Sequence, residues 1–144
     1  MHMEKKFIIP GRAVPKARPR VTKRGFTYTP KSTKDFEKLV RDTYISEFGG
    51  NAMFPPQMPL AMVVEFGLKP PKSWAKTKRK RAIEKEIFPV GRPDVDNLLK
   101  GVQDALNGVA YPDDSQIIAI TARKVYTKDD QTKVAIWSIN NDSY

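Results

Sequence analysis

Four aspartates and one lysine lie within a short part of an otherwise basic chain. Asp94 and Asp96 are two residues apart, Lys100 follows, and Asp113-Asp114 come next. Carboxylate oxygens are hard ligands of the kind that Mg²⁺ and Mn²⁺ prefer. Lys100, about one helical turn beyond Asp96, would reach a phosphate oxygen held at such an ion. The pattern therefore predicts a divalent-metal site that acts on a phosphate.

The distribution of charge strengthens this prediction. The 144 residues carry a net charge of +10. Residues 1–36 contain ten Lys/Arg against two acidic residues, and 69–92 contain nine against two, whereas 93–118 contain one lysine against five aspartates. Basic segments of this density favour nucleic acid as a partner. An acidic cluster between them would repel a polyanion unless a cation lay in between, so the composition favours metal binding over ordinary surface charge.

Composition also excludes several classes of protein. The chain has no cysteine, which excludes disulfides and cysteine-based zinc or thiol chemistry. Its only histidine, His2, lies in an unusual start (1–3) that resembles a cloning scar, so it is left out of the site. No apolar run reaches the ~18 residues of a membrane span, and no signal peptide opens the chain. We therefore expect one cytoplasmic domain over 1–144 with no membrane partner.

The first acidic pair opens a predicted helix over residues 94–108, which ends at Asn107-Gly108. Its apolar residues recur every three or four positions and should be buried, whereas Asp96 and Lys100 align along the opposite edge. Asp104 lies most of a quarter-turn from that edge and is left out of the predicted site. If a following strand over 117–126 runs back beside this helix, we expect Asp113-Asp114 to meet Asp94 and Asp96.

The remaining patterns predict a mixed sheet with flanking helices, in an α/β fold that borders on α+β. Residues 60–68 are almost all apolar and should form a central strand. The other expected elements are strands over 5–10 and 25–29, a helix from Ser32 or Thr33 to Phe48, a charged helix over 74–87, and a hairpin of strands 117–126 and 132–139.

Each acidic feature also has an ordinary structural interpretation. Asp94 would serve as a helix N-cap, Asp96 and Lys100 as an i,i+4 ion pair, and Asp113-Asp114 as a turn. Their joint presence between the two basic segments is what favours the metal site.

The basic segments supply candidate DNA contacts, which would bind phosphates without reading bases. These candidates are Arg12, Lys16, Arg18, Arg20, Lys23, Arg24, Lys76, Lys78, Arg79, Lys80, Arg81 and Arg92. A solvated helix face is the alternative for residues 76–81. For the nearby aromatics Phe26, Tyr28 and Trp74 we favour packing in the core, with stacking on bases as the alternative.

The motifs together resemble a known family. Pro93-Asp94-Val95-Asp96-Asn97-Leu98-Leu99-Lys100, then residues 104–108 (DALNG) and 113–117 (DDSQI), are similar to the RusA family of Holliday junction resolvases, which phages and prophages often encode. Most of the matching residues lie within 92–118. The basic segment at residues 15–20 also resembles members of the family. One departure is that some relatives carry a run of arginines before the first aspartate, where this chain has Arg92-Pro93.

The resemblance implies a RusA-like fold and a set of functional residues. It makes Asp94, Asp96 and Asp114 the essential acidic residues and Lys100 the essential lysine, with Asp113 beside the site. It further implies a homodimer that cuts four-way DNA junctions symmetrically with Mg²⁺, or with Mn²⁺ in its place. Two other hypotheses stay open on the residues alone, namely a nuclease of other specificity, such as a flap or nicking enzyme, and a non-catalytic nucleic-acid-binding protein.

Overall fold

The computed structural model describes residues 2–17 and 20–139, with Arg20 described in its backbone only. The strands are β1 (Glu4–Pro10), β2 (Arg20–Val21), β3 (Thr27–Tyr28), β4 (Leu60–Leu68), β5 (Ile117–Tyr126) and β6 (Gln131–Ser138). The helices are α1 (Lys31–Phe48), α2 (Lys76–Ile83) and α3 (Val95–Leu106), and a 3₁₀ turn covers Asp114–Gln116. Among these described helices, none combines the length and hydrophobicity that crossing a bilayer requires.

The apolar strand β4 lies inside the main sheet, as its sequence predicts. The strand order is β1-β6-β4-β5. β4 runs parallel to β5 and antiparallel to β6, and β6 runs antiparallel to β1. The mixed sheet and the α/β class are therefore confirmed. Leu60, Met62 and Val64 are almost fully buried, because strands cover both edges of β4 and helices cover this side of it.

The predicted hairpin of the last two strands is wrong. β5 and β6 follow each other in the chain, but β4 lies between them and pairs with both. The link crosses the end of β4 at Gly67, where an added Cβ would lie 2.4 Å from Thr127 Oγ1. Thr127 N–H also donates to the Leu68 carbonyl at 3.0 Å. With β4 between β5 and β6, the most apolar strand is hydrogen-bonded along both of its edges. If β5 and β6 were adjacent as a hairpin, β4 could pair with only one of them.

Helices α1 and α3 pack on the side of the sheet that carries the core. Leu98, Val102, Ala105 and Leu106 of α3 are fully buried, which confirms the predicted apolar face. α2 is shorter than the predicted 74–87, because Ala82 is its only buried residue. A helix with so little apolar surface gains little from packing, and so it ends early.

The aromatic residues near the basic segments are less buried than predicted. Strands β2 and β3 form a separate two-stranded sheet. Phe26 and Tyr28 are 69% and 47% exposed, so core packing is the wrong interpretation for both. Trp74 is half-buried and lies edge-on against the Tyr126 ring, with centroids 5.4 Å apart. Stacking on bases remains open for the two exposed rings.

Candidate functional site

The first acidic pair lies at the start of α3. Asp94 occupies the N-cap position, and its carbonyl accepts a hydrogen bond from Leu98 N–H at 3.1 Å. Its carboxylate makes no capping hydrogen bond. The Asp96 carboxylate accepts only the neighbouring Asn97 N–H, at 3.0 Å. Both side chains are exposed, so their remaining oxygen lone pairs face solvent and are free for a ligand.

Lys124 of β5 fixes the chain that leads into Asp94. Its Nζ donates to the carbonyls of Gly91 at 2.7 Å and Pro93 at 2.9 Å. Lys124 is paired with Phe66 in the sheet, so it points towards the core side, where α3 lies. Sequence reasoning missed this contact. A lysine in phase with the core-facing residues of a strand is the signal that would have revealed it.

The second acidic pair lies at the start of β5. Asp113 caps the 3₁₀ turn by accepting Ser115 N–H at 3.1 Å, and its own N–H donates to Gln116 Oε1 at 3.2 Å. The hydrogen bond from Ser115, with a further contribution from Asp114, holds the pKa of Asp113 below its usual value. The turn interpretation of Asp113 is thus confirmed, and its role as a metal ligand stays a prediction.

Gln116 ties this turn to the segment before β4. It is buried, and its Nε2 donates to the carbonyls of Pro55 at 2.9 Å and Met58 at 3.1 Å. Gln116 belongs to the motif that carried the family resemblance, but its positioning role is not readable from the sequence, because its partners lie far away in the chain.

The two acidic pairs lie at opposite ends of α3. Lys124, near the end of β5, holds the segment before Asp94, whereas Asp113-Asp114 precede the start of β5. The returning strand therefore brings its end, not its start, to the first pair. Twelve helical residues separate the two ends by about 16 Å. Their expected meeting within one chain is wrong, and residues 2–17 and 20–139 contain no group of three or more acidic or histidine side chains placed to hold an ion.

These four carboxylates nevertheless have the chemistry that a divalent ion requires. Hard oxygen donors suit Mg²⁺ or Mn²⁺. Within the described part of the chain, no Lys or Arg nitrogen lies within 4.0 Å of any of the four, although the chain carries ten excess positive charges. Their negative charge is therefore available to a cation, and their ligand roles stay predictions.

Lys100 pairs with Asp104 and not with Asp96. Its Nζ lies 3.1 Å from Asp104 Oδ1. The opposite carboxylate oxygen of Asp104 lies 3.3 Å from Lys16 Nζ, which also contacts Glu37 at 2.5 Å. Asp104, which was left out of the predicted site, thus links the predicted essential lysine Lys100 to the predicted DNA contact Lys16. Lys100 has an aspartate four residues away on either side, and only the position of Lys16 makes Asp104 the centre of the cluster.

Partial burial disfavours the charged form of Lys16, but hydrogen bonds and attraction from Glu37 and Asp104 outweigh it, so its pKa is raised. Its backbone N–H donates to the Asn97 carbonyl at 2.9 Å, which lays the basic loop along α3. The Lys16 charge is already used within the fold, so among the candidate DNA contacts it is the one least free to bind a phosphate.

The other basic candidates lie mostly on the surface, and their DNA contacts stay predictions. Arg12 is exposed and lies 3.8 Å from Asp130. Arg18 lies outside the described residues. Exposed side chains without an acidic partner within 4.0 Å in the described part are Lys23, Arg24, Lys76, Lys78, Arg79 and Arg92. Lys80 and Arg81 are exposed but face Glu84 and Glu86 at 3.9 and 3.2 Å.

Comparison with known proteins places these features in a family. A family model described as "Endodeoxyribonuclease RusA" matches residues 10–137. The chain is also 38% identical over 84 residues to "Uncharacterized protein YqaN" of Bacillus subtilis (strain 168), a stretch that covers 57% of this chain and 59% of that protein. The chain thus spans about three fifths of that relative's length.

The matched range runs from the end of β1 to the last strand of the main sheet and contains both acidic pairs, Lys100 and the basic helix α2. The chain therefore belongs to the RusA endodeoxyribonuclease family.

Proposed function

We propose that this protein is a metal-dependent endonuclease that resolves Holliday junctions by paired, symmetric cuts during DNA recombination and repair. The observation that carries the proposal is a set of four carboxylates, inside a family match over most of the chain, that have no basic nitrogen within 4.0 Å among the side chains the structure describes. A protein with a net charge of +10 that only bound nucleic acid would have no use for such a group.

Hydrolysis of a phosphodiester needs an activated water molecule and neutralisation of charge on the phosphate. Asp94, Asp96, Asp113 and Asp114 would hold Mg²⁺, or Mn²⁺ in its place. The bound ion supplies both requirements, by lowering the pKa of water and stabilising the transition state. Lys100, with its side chain 58% exposed, would give a fixed positive charge to the phosphate where negative charge develops.

The surface charge of the protein supports binding of branched DNA. Helix α2 presents five basic side chains and no acidic residue in its first turn. Contacts of this kind act on the phosphate backbone, and each lowers the logarithmic salt slope of the binding constant by about 0.9. Since a four-way junction has two-fold symmetry and needs two cuts, we propose a homodimer with two active sites that acts in the cytoplasm.

The test is cleavage of a synthetic four-way junction in Mg²⁺ or Mn²⁺. The parent protein is expected to make paired nicks at symmetric positions, and Asp96→Asn is expected to bind the junction without cutting it. Asp35→Asn serves as the matched control, because Asp35 is an exposed aspartate on α1 far from the acidic pairs in sequence.

Each alternative has its own outcome. If the protein binds the junction but cuts it with none of the divalent metals, the result would favour a non-catalytic nucleic-acid-binding protein. Equal cutting of linear duplex and junction would favour a nuclease of other specificity. Cleavage that Asp96→Asn retains would remove the acidic pair from the mechanism.

A further inference from the structure

We propose that a cavity beside the start of α3 is a binding subsite for one nucleotide of a DNA strand. The cavity has a volume of about 480 Å³. It lies where the carboxyl ends of the parallel strands β4 and β5 meet the segment that leads into Asp94. Open α/β sheets bind ligands at this end of their strands. The inference rests on the proposed function only in taking DNA as the ligand.

The cavity is lined by positive charge that the fold leaves unpaired. Lys69, Lys72 and Arg92 line it, and all three are exposed. As far as the structure describes the chain, none of the three has a carboxylate within 4.0 Å. Asp130 also lines the cavity, but it already accepts the Lys69 N–H at 2.7 Å and lies 3.8 Å from Arg12 Nη1. Three cations around one cavity favour a phosphate, which arginine and lysine side chains both bind.

The remaining walls of the cavity are apolar. They consist of Leu68, Pro70, Pro71, Pro89 and Tyr126. Proline has no backbone N–H, so these walls present apolar surface without a donor that needs a partner. Apolar walls beside a few charged groups are typical of small-ligand sites, whose volumes run from about 300 to 1,000 Å³. A phosphate alone would gain nothing from such walls, whereas a nucleotide base gains from stacking.

Hydrogen bonds fix the segments on both sides of the cavity. The Gly91 carbonyl accepts from Lys124 Nζ at 2.7 Å, which ties the segment before α3 to the sheet. The Pro71 carbonyl accepts from Trp74 N–H at 3.1 Å, which holds the turn after β4. Because the cavity is formed before a ligand arrives, binding loses less conformational entropy than ordering a loop would.

The position of the cavity favours a nucleotide within a strand over a free nucleotide. Arg92 precedes Asp94 by two residues, which places their Cα atoms within about 7 Å of each other. On the other side, Pro71 leads through Trp74 into α2 and its five basic side chains. A strand that runs from α2 to the first acidic pair would therefore pass the cavity, with one of its nucleotides next to the phosphate to be cut.

The test titrates the ¹⁵N-labelled full chain with thymidine 5′-monophosphate, a thymidine trinucleotide or inorganic phosphate. The buffer contains EDTA, so binding is measured without cleavage. We expect both nucleotides to shift the backbone amide resonances of Lys69, Lys72, Gly91 and Arg92. Inorganic phosphate should bind about 5- to 140-fold more weakly than the monophosphate, because stacking of one base supplies that ratio.

Two pairs of substitutions test the cations. Lys69→Gln with Lys72→Gln should abolish these shifts. It should also reduce the salt dependence of junction binding in EDTA, by about 1.4–1.8 in the magnitude of the logarithmic slope. The matched control is Lys31→Gln with Lys34→Gln, which should change neither measurement. These two lysines are also exposed and three residues apart, and in the described residues no carboxylate lies within 4.0 Å of them.

Both pairs remove the same charge, and circular dichroism and the unfolding temperature check their folding. Arg92→Gln, on another segment, provides a second variant if the first pair does not fold, and it should weaken both nucleotides in the same way.

Equal affinity for the monophosphate and for inorganic phosphate would overturn the inference, because the apolar walls would then add nothing. Binding of the monophosphate without the trinucleotide would also overturn it, as would equal effects of the two lysine pairs. A parent that cuts junctions while these amides stay unshifted would overturn the inference and keep the proposed function. Nucleotide binding at these amides by a protein that cuts no junction would do the reverse.

Discussion

Replacing Asp104 by asparagine tests whether this residue joins the basic loop to α3. The change keeps the shape of the side chain and removes its charge. Asp104 and Lys16 are each 26% exposed, whereas Lys100 is 58% exposed. The pair with Lys100 is therefore worth about 0.3–0.5 kcal/mol, as for exposed i,i+4 pairs. The less exposed contact with Lys16 should contribute about 1 kcal/mol after screening by solvent.

Asp104→Asn should therefore lower the free energy of unfolding by about 1–1.5 kcal/mol, which corresponds to about 3–5 °C in a domain of this size. The assay is urea and thermal unfolding at low salt. Asp42→Asn is the matched control, because it removes an exposed i,i+4 pair with Lys38, whose side chains are 55% and 70% exposed. We expect the control to lose only about 0.3–0.5 kcal/mol.

A double-mutant cycle with Glu37→Gln sharpens the test. Each single change leaves Lys16 one carboxylate, whereas the double change leaves a partly buried ammonium with none. The double variant should therefore lose about 1 kcal/mol more than the sum of the single variants. Additive losses, or an Asp104→Asn variant no less stable than the Asp42→Asn control, would refute the role assigned to Asp104.

Three further changes probe other parts of the fold. Gln116→Leu removes three hydrogen bonds of a buried amide and should lower the free energy of unfolding in urea by about 2–3 kcal/mol. The control Ser115→Ala should lower it by less than about 0.5 kcal/mol. Equal losses for the two variants would contradict the anchoring role of Gln116. Lys124→Met should lower the rate of junction cleavage while junction binding persists, and Lys128→Met should change neither. Burial raises the pKa of Tyr44 from 10.0 to about 12, so the folded state favours the neutral phenol. The contribution of this neutral phenol to the free energy of unfolding is therefore fully present below pH 10, and it is lost as the pH rises towards 12. Tyr44→Phe should reduce that loss, as measured by urea midpoints from pH 9 to 11.

Local patterns predicted the elements well. The three- and four-residue spacing in α3 identified its buried face, and the apolar run at residues 60–68 identified the central strand. These signals are local, because helix and strand periodicity depends only on neighbouring residues. The hairpin prediction failed because adjacency in sequence does not say which strand lies between two others. That choice depends on where β4 can pair on both edges.

The acidic pairs show the same division. The sequence by itself determined which residue types are available, four aspartates and a lysine between basic segments, and it pointed to the family that the family match confirms. Only the tertiary structure decided which of these groups meet. Asp104 contacts Lys100 and Lys16. The two acidic pairs stay apart, because Lys124 brings the end of β5 to the segment before Asp94, whereas Asp113-Asp114 precede the start of that strand. Residue types determine what a site can do, but the direction and packing of whole elements determine which side chains share it.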